Sequence, residues 1–295
     1  MEVDAADGVA LHALVDGPAD APVTLVLLHG WTLDSRTWWP VARILGEQGV
    51  RVVRYDHRGH GRSAAVEPST MTIEQLADDL VAVLAALAPD GPLVLAGHSM
   101  GGMTIMALAE RHPELLDRVA GVALVATSCG GLADATLGLS PRRAALVRQI
   151  EHWMSCSKRW ASRRRLGDPR LLAPALRWLL LGRRPTREAV RLTVGSIAAC
   201  RPLTVSGFRP TLDAHEREEA LAAFAEIPTV VLAGSRDRLT PVRHARRIAD
   251  ALPGTALTIY PEAGHMLPVE RAIGVAERIS ALVSARSVVD QGEPR

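Results

Sequence analysis

Short apolar runs alternate with helical segments through most of this 295-residue chain. The runs are Val23–Gly30, Arg51–Asp56, Pro92–Gly97, Val119–Thr127, Pro228–Gly234 and Ala256–Tyr260. Strands that are apolar on both faces are typical of parallel sheets covered by helices. The alternation therefore predicts an α/β fold with a doubly wound, mostly parallel sheet.

Local signals support this division of the chain. The dipeptide Asp7-Gly8 stands between two short alternating segments, which predicts an amino-terminal hairpin. Thr72 precedes Gln75 by three residues, the spacing of a capping box at the start of a helix. Further helices are predicted over Thr37–Gln48, Met100–Arg111, Pro241–Leu252 and Val269–Ala285.

The alternation stops over residues 129–226, where the patterns are helical. We predict that residues 1–128 and 227–285 form one core, that 129–226 form an inserted helical cap, and that 286–295 are a flexible tail. A segment inserted between strands of such a sheet emerges at the carboxyl edge, where ligands bind. We expect an apolar inner face, with Trp153, Trp160 and Trp178 either contacting substrate or packing within the cap.

Composition narrows the classes of partner. The 34 basic and 32 acidic residues leave a net charge of +2, so neither nucleic acid nor an anionic membrane is expected to bind. No apolar run approaches the length of a membrane span. The start MEVDAADG has no basic and apolar leader, and the three cysteines have no metal-binding spacing. We expect a cytoplasmic protein with free thiols and no metal; its oligomeric state is left open.

The motif Gly97-His98-Ser99-Met100-Gly101 lies directly between a predicted strand and a predicted helix. This context is typical of a nucleophile elbow, a tight turn that exposes the serine hydroxyl at the edge of the sheet. The helix that begins at Met100 would direct its first N–H groups toward the same place. The alternative is a glycine-rich turn in which the serine is incidental.

A serine nucleophile needs a base and an orienting carboxylate, and both follow Ser99 in the chain. Asp237 comes after the strand that ends at Gly234, and His265 comes after the next strand. Each lies at the carboxyl end of its strand, as this type of site requires. A structural role for His265 and ion pairing of Asp237 with its neighbouring arginines are the alternatives.

Two backbone N–H groups are expected to form an oxyanion hole. One belongs to Met100, the residue after the nucleophile, and the other to Trp31, in the loop after the first buried strand. The indole of Trp31 would then form a wall of the acyl pocket.

Five motifs occur in an order that resembles the α/β-hydrolase family. They are LLHGW at Leu27–Trp31, YDHRGHGRS at Tyr55–Ser63, GHSMGG at Gly97–Gly102, GSRD at Gly234–Asp237 and EAGH at Glu262–His265. The resemblance covers about residues 1–285 and implies a Ser99–His265–Asp237 triad beneath a cap, with no cofactor. It also implies that the Asp56–Ser63 loop is structural, with His57 and His60 packing it. Related epoxide hydrolases and dehalogenases carry aspartate where this chain has Ser99.

These features predict a carboxylesterase or lipase-like serine hydrolase, which cleaves esters of hydrophobic small molecules through an acyl-enzyme. A thioesterase, a lactonase, a carbon–carbon bond hydrolase, a cofactor-free perhydrolase, and a biosynthetic cyclase or acyltransferase would use the same triad. A non-catalytic receptor for a small ligand is the alternative from another functional class.

Overall fold

The computed structural model describes residues 1–133, 142, 149, 160 and 162–290. Within them, eight strands form one sheet in the order β1-β2-β4-β3-β5-β6-β7-β8. The strands are β1 Glu2–Asp4, β2 Ala10–Asp16, β3 Thr24–Leu28, β4 Arg51–Tyr55, β5 Leu93–His98, β6 Val119–Val125, β7 Thr229–Gly234 and β8 Ala256–Tyr260. β2 is antiparallel to β1 and β4, and all other neighbours are parallel. The predicted mostly parallel α/β sheet is confirmed.

Nine α-helices are present among the described residues. They are α1 Trp39–Glu47, α2 Ile73–Leu87, α3 Met100–Arg111, α4 Pro169–Leu180, α5 Arg187–Ala199, α6 Pro202–Asp213, α7 Val242–Ala251, α8 Leu267–Glu270 and α9 Ala272–Asp290. Short 3₁₀ helices occupy Ser35–Trp38, Pro68–Thr70, Pro113–Arg118 and Glu219–Phe224. The side-chain hydroxyl of Thr72 accepts a hydrogen bond from the N–H of Gln75 at 3.1 Å and caps α2, as the sequence predicts.

The helices cover both faces of the sheet. Leu93 and Leu95 of β5 belong to an apolar core shared with α2, α3 and α7. Val94 and Ala96 of the same strand belong to a second core, shared with α1 and α9. Because successive side chains of a strand point to opposite faces, a strand buried on both sides is apolar at most of its positions. This is the physical reason for the uninterrupted apolar runs in the sequence.

The described part of residues 129–226 contains α4, α5, α6 and one 3₁₀ helix, and no strand. Leu180 and Ile197 from this segment form a third apolar cluster with Leu33, which follows β3, and Met266, which follows β8. The segment is thereby packed against loops at the carboxyl edge of the parallel strands.

The carboxyl-terminal region differs from the sequence prediction in two ways. The predicted single helix is divided at Arg271, whose φ of −137° interrupts the helical backbone between α8 and α9. In addition, α9 continues to Asp290, five residues into the predicted tail. The first glycine after Ala285 is Gly292, so no helix-breaking residue stops the helix earlier. No helix in the described part of the chain is long and apolar enough to cross a membrane.

The contact between α3 and β3 can be tested with two helical glycines. A Cβ atom on Gly101 would lie 2.3 Å from the carbonyl oxygen of Leu28, whereas one on Gly195 in α5 would meet nothing within 4 Å. We expect Gly101→Ala to lower the free energy of unfolding by about 1–3 kcal/mol. Gly195→Ala should raise it by up to about 1 kcal/mol, because alanine favours the helix. Urea denaturation measures both, and shifts in the same direction would contradict the packing argument.

Candidate active site

The turn between β5 and α3 holds Ser99 in an unusual backbone conformation. Its φ is 53° and its ψ is −117°, a region that L-residues seldom occupy. Neighbouring strand ends hold this conformation in place. The N–H of Ser99 donates to the carbonyl of Val125 at 2.9 Å, and the Thr127 hydroxyl donates to the carbonyl of Ser99 at 2.7 Å. Strain kept by surrounding bonds at an exposed turn is typical of functional sites.

Glycines on both sides of Ser99 permit this turn. A Cβ atom on Gly97 would lie 2.4 Å from the backbone of Gly101, and one on Gly102 would lie 2.7 Å from the side chain of Thr127. A side chain at either position would force the helix away from the strand. The glycines of the predicted elbow are therefore required by packing.

Asp237 and His265 meet at the carboxyl ends of β7 and β8. The Nδ1 atom of His265 lies 2.8 Å from Oδ2 of Asp237, and both side chains are buried. The carboxylate also accepts hydrogen bonds from the N–H groups of Leu239 and Thr240, and from the Thr240 hydroxyl at 2.8 Å. Because the carboxylate accepts, the proton lies on Nδ1 of His265. The other ring nitrogen is then available as a base.

The arginines beside Asp237 have other partners. Arg236 donates to Glu262 at 3.0 Å, and Arg238 donates to the carbonyl of Trp178 at 2.6 Å. Asp237 instead directs its acceptors inward, to Thr240 and His265. The geometry thus favours an orienting role for Asp237 over a surface ion pair.

The backbone of His265 is held from two sides. Its N–H donates to the carbonyl of Leu180 at the end of α4, at 2.7 Å. Its carbonyl accepts from Nε2 of His98 at 2.9 Å. His98 is fully buried, and desolvation followed by the nearby His265 lowers its pKa to about 3. The His98 ring therefore stays neutral near neutral pH and keeps this hydrogen bond.

His98 and Thr240 are residues that the sequence prediction missed. His98 precedes Ser99 in the motif, but its contact with the His265 loop, 167 residues away, has no sequence signal. Thr240 had a weak signal, since an aspartate followed closely by threonine favours a local turn with side-chain hydrogen bonds.

Ser99 and His265 both line an apolar cavity of about 160 Å³. Its other walls come from the loop after β3 and from the helical segment. They are Gly30, Trp31, Thr32, Leu33, Leu176, Leu179, Leu180, Ile197, Val205, Leu239 and Met266. Nearly all of these side chains are aliphatic or aromatic, so the cavity suits an apolar ligand.

Both predicted oxyanion donors belong to segments that adjoin Ser99. A Cβ atom on Gly30 would lie 3.2 Å from Cβ of Ser99, which shows how closely the loop carrying Trp31 approaches the serine. Met100 is the first residue of α3, so its N–H has no acceptor within the helix. The positive end of the α3 dipole also lies at this point.

Three buried histidines support the loop that carries Trp31. Nδ1 of His29 donates to the carbonyl of Gly30 at 2.8 Å, and its Nε2 accepts from the N–H of His57 at 2.9 Å. Nε2 of His60 accepts from the N–H of Thr32 at 3.2 Å. Burial lowers the pKa of all three rings, that of His60 to about 3. Neutral rings can act as acceptors here, whereas imidazolium could not.

A buried arginine anchors the loop after β4, which carries His57 and His60. The Arg58 guanidinium is fully buried and donates to both carboxylate oxygens of Asp79 in α2 and to both of Asp7 in the amino-terminal hairpin. Removing one partner of a buried pair would leave an uncompensated charge. In the described part of the chain, no group of three or more His, Cys, Asp or Glu could hold a metal ion.

The tryptophans of the helical segment occupy different places. Trp178 is 46% exposed and lies outside the Ser99 cavity, with the Arg238 guanidinium 4.7 Å from its ring. Trp160 is half-buried beside Arg163 and is absent from the cavity wall, and Trp153 lies outside the described residues.

Helical periodicity explains why Trp178 differs from its neighbours in α4. Leu179 and Leu180 follow Leu176 by three and four residues, so the three side chains share one face of the helix and line the cavity. Trp178 falls on the opposite face. Of the tryptophans predicted to contact substrate, only Trp31 is part of the described cavity wall.

Comparisons with known proteins agree with the geometry. A family model described as the alpha/beta hydrolase fold matches residues 23–272. The chain is 27% identical to a Caulobacter protein named "Putative carbamate hydrolase RutD", over 90% of this chain and 91% of that protein. It is 31% identical to a pimeloyl-[acyl-carrier protein] methyl ester esterase of Chromobacterium violaceum, over 82% of this chain and 86% of the relative. A thermophilic esterase from Thermogutta terrifontis superposes with a TM-score of 0.77 and 24% identity, covering 97% of this chain and 98% of the esterase.

The buried histidines predict a pH-dependent stability. The pKa of His60 and of His98 is about 3 in the folded chain, against an ordinary value of 6.5. Between these values the unfolded chain binds more protons, so stability is full above about pH 6.5 and is lost as the pH falls. We expect each histidine to contribute a slope of about 1.4 kcal/mol per pH unit.

Urea denaturation at a series of pH values between about 7.5 and 4.5 tests this expectation. In this range His60→Asn should reduce the dependence of the unfolding free energy on pH by about 1.4 kcal/mol per pH unit, which corresponds to one proton. This change in slope is expected whatever the substitution does to the free energy of unfolding itself. A slope equal to that of the unaltered chain would show that His60 takes up no extra proton on unfolding.

Proposed function

This chain belongs to the alpha/beta hydrolase fold family and is a hydrolase, and on that premise we propose that it cleaves carboxylic esters of hydrophobic small molecules through an acyl-enzyme on Ser99. The observation that carries the proposal is the apolar cavity in which Ser99 and His265 share one wall, with His265 bonded at 2.8 Å to the buried Asp237. This arrangement supports the roles of Ser99 as nucleophile, His265 as base and Asp237 as orienting acid beside a site for an apolar ligand.

In the first half of the reaction, the Ser99 hydroxyl attacks the ester carbonyl and His265 takes its proton on Nε2. Asp237 stabilises the resulting imidazolium and keeps the ring in the correct tautomer. The carbonyl oxygen becomes an oxyanion, for which the N–H groups of Met100 and Trp31 are the proposed donors. When the intermediate collapses, the alcohol leaves with the proton from His265 and the acyl group stays on Ser99.

In the second half, a water molecule attacks the acyl-enzyme and gives its proton to His265. Collapse of the second intermediate returns that proton to Ser99 and releases the acid. Thr240 and His98 act as positioning residues, because one holds the Asp237 carboxylate and the other holds the main chain of His265.

The character of the cavity supports the choice of substrate. Trp31, Leu33, Ile197, Val205 and Leu239 contribute apolar side chains, and among the described residues that line the cavity there is no arginine or lysine. The methyl ester esterase and the carbamate hydrolase to which the chain is similar act on carbonyl carbons, which supports the same class of chemistry here.

Residues 129–226 are proposed to act as a cap that excludes water and selects the substrate. Leu176, Leu179 and Leu180 on the inner face of α4 support this role. We also place the protein in the cytoplasm, where buried free thiols such as those of Cys129 and Cys200 stay reduced.

Two assays test the proposed activity. p-Nitrophenyl esters of increasing acyl length, beside acyl-thioesters and lactones, should show highest kcat/KM for an uncharged apolar ester. A small fluorophosphonate should label Ser99 stoichiometrically. An unlabelled but folded and ligand-binding protein would indicate a receptor instead of an enzyme.

Ser99→Ala should lower ester hydrolysis by on the order of 10⁴-fold or more, because the members of a triad act as a unit. Ser280→Ala is the control, since its hydroxyl lies in α9 and donates to Oε1 of Gln48 at 3.2 Å. Both variants should keep the melting temperature within about 2 °C of the unaltered chain. Retention of a tenth of the activity in Ser99→Ala would mean that another group is the nucleophile.

Asp237→Asn should be less damaging than His265→Ala. The imidazole transfers the proton, whereas the carboxylate orients the imidazole and stabilises its charged form. We therefore expect kcat to fall about 10⁴-fold in Asp237→Asn and about 10⁶-fold in His265→Ala. Steady-state kinetics on one p-nitrophenyl ester measures both. Equal losses with unchanged folding would assign Asp237 a role beyond orientation.

A further inference from the structure

A cleft with a volume of about 580 Å³ lies on the outer side of α4. Four arginines, three apolar side chains and one glycine line it, and we call it the basic cleft: Arg177, Arg183, Arg236, Arg238, Pro174, Trp178, Leu181 and Gly182. It is distinct from the Ser99 cavity, because the two are lined by opposite faces of the same helix.

Positive charge in the basic cleft exceeds negative charge. Arg236 lies 3.0 Å and Arg183 3.9 Å from the same oxygen of Glu262. These charges hold the pKa of Glu262 below its ordinary value, chiefly through the hydrogen bond from Arg236. Within the parts of the chain that the structure describes, no carboxylate pairs with Arg177 or Arg238. Of the four arginines that line the basic cleft, two contact Glu262 and two have no carboxylate partner among the described residues.

Arg238 is held in place before any ligand arrives. Its Nη1 donates to the carbonyl of Trp178 at 2.6 Å, and its guanidinium carbon lies 4.7 Å from the centre of the Trp178 ring. The guanidinium uses one N–H donor for this hydrogen bond and one face for the indole. Among the described residues, no acceptor is recorded for its other N–H donors, which can therefore bind a ligand. The 46% exposed indole adds an apolar wall beside these donors.

Like charges that converge on one cleft repel each other and destabilise the fold unless something offsets them. Guanidinium groups bind carboxylates and phosphates through paired N–H donors, and several together favour ligands with more than one negative charge. We propose that the basic cleft binds a small oxyanion with several negative charges, such as a phosphate ester or a polycarboxylate, at a site separate from the hydrolysed ester.

This site goes beyond the proposed ester hydrolysis and does not depend on it. The leucine face of α4 stands between the basic cleft and Ser99, so an anion in the cleft is not positioned for attack. The cleft shares the segments Arg236–Arg238 and Leu180–Arg183 with the catalytic loops, since Asp237 lies between two of its arginines and Leu180 bonds to His265. A bound anion would therefore contact the two segments that hold Asp237 and His265 in place.

Binding of inorganic pyrophosphate tests the proposal directly. Calorimetric titration at about 0.15 M salt should give saturable binding to the full chain, with a rise of a few degrees in the melting temperature. Arg177→Gln/Arg183→Gln should weaken binding at least about tenfold and abolish that rise. Without pyrophosphate, this variant should melt no lower than the unaltered chain, because like charges have been removed. Arg170→Gln, an exposed arginine of α4 outside the cleft, is the matched control and should bind normally.

The source of the anion is distinguished by kinetics on two esters of equal length. Pyrophosphate should leave the KM of p-nitrophenyl hexanoate and of the p-nitrophenyl monoester of adipic acid unchanged if the anion is a separate ligand, as we propose. A raised KM for the adipate monoester alone would mean that the acidic end of the substrate enters the cleft, which overturns the separate site. Equal pyrophosphate affinity in the double variant and the control would overturn the basic cleft as an anion site altogether.

Discussion

The close contact between β5 and α3 is the constraint on which the rest of the site depends. Ser99 takes its φ of 53° because the chain must turn from strand to helix without intervening residues. The turn fits because Gly97 leaves room for the backbone of Gly101 in α3, and Gly101 in turn leaves room for Leu28 of β3. Two hydrogen bonds offset the backbone strain, one to Val125 at the end of β6 and one from Thr127, which follows that strand. The position of Ser99 at the carboxyl edge of the sheet is the consequence of this packing.

The base depends on a second set of contacts, which link the helical segment to the core. The Glu270 carboxylate accepts from the N–H groups of Gly182, Gly264 and Met266, and the N–H of His265 donates to Leu180. Burial is the largest influence on Glu270 and raises its pKa, while these N–H groups act in the opposite direction. The loop of His265 is therefore built jointly by core and inserted segment. The inserted segment thus helps to position the imidazole, whatever it contributes to substrate selection.

Around the site, the buried ionisable groups are neutral or paired, whereas the unpaired charges lie at the surface. The loops beneath Ser99 use histidines that burial keeps neutral, and the Arg58 guanidinium is enclosed by two carboxylates. Unpaired positive charge collects instead on the outer face of α4, in the basic cleft. Because uncompensated charge is costly in an apolar interior, the hydrolytic cavity stays apolar while the arginines remain in contact with water.

The sequence by itself determined the order of strands and helices, since strands buried on both faces are apolar at most of their positions. It also determined the elbow, because a serine between a strand and a helix needs glycines around it, and it pointed to Asp237 and His265 through their places after strands. Tertiary structure alone decided which side of α4 faces the cavity, and so placed Leu176 there and Trp178 outside. It likewise decided the roles of His98, Thr240 and Glu270, whose partners lie on other elements. Periodicity records that a residue is buried or exposed, whereas only the folded chain fixes which distant group it meets.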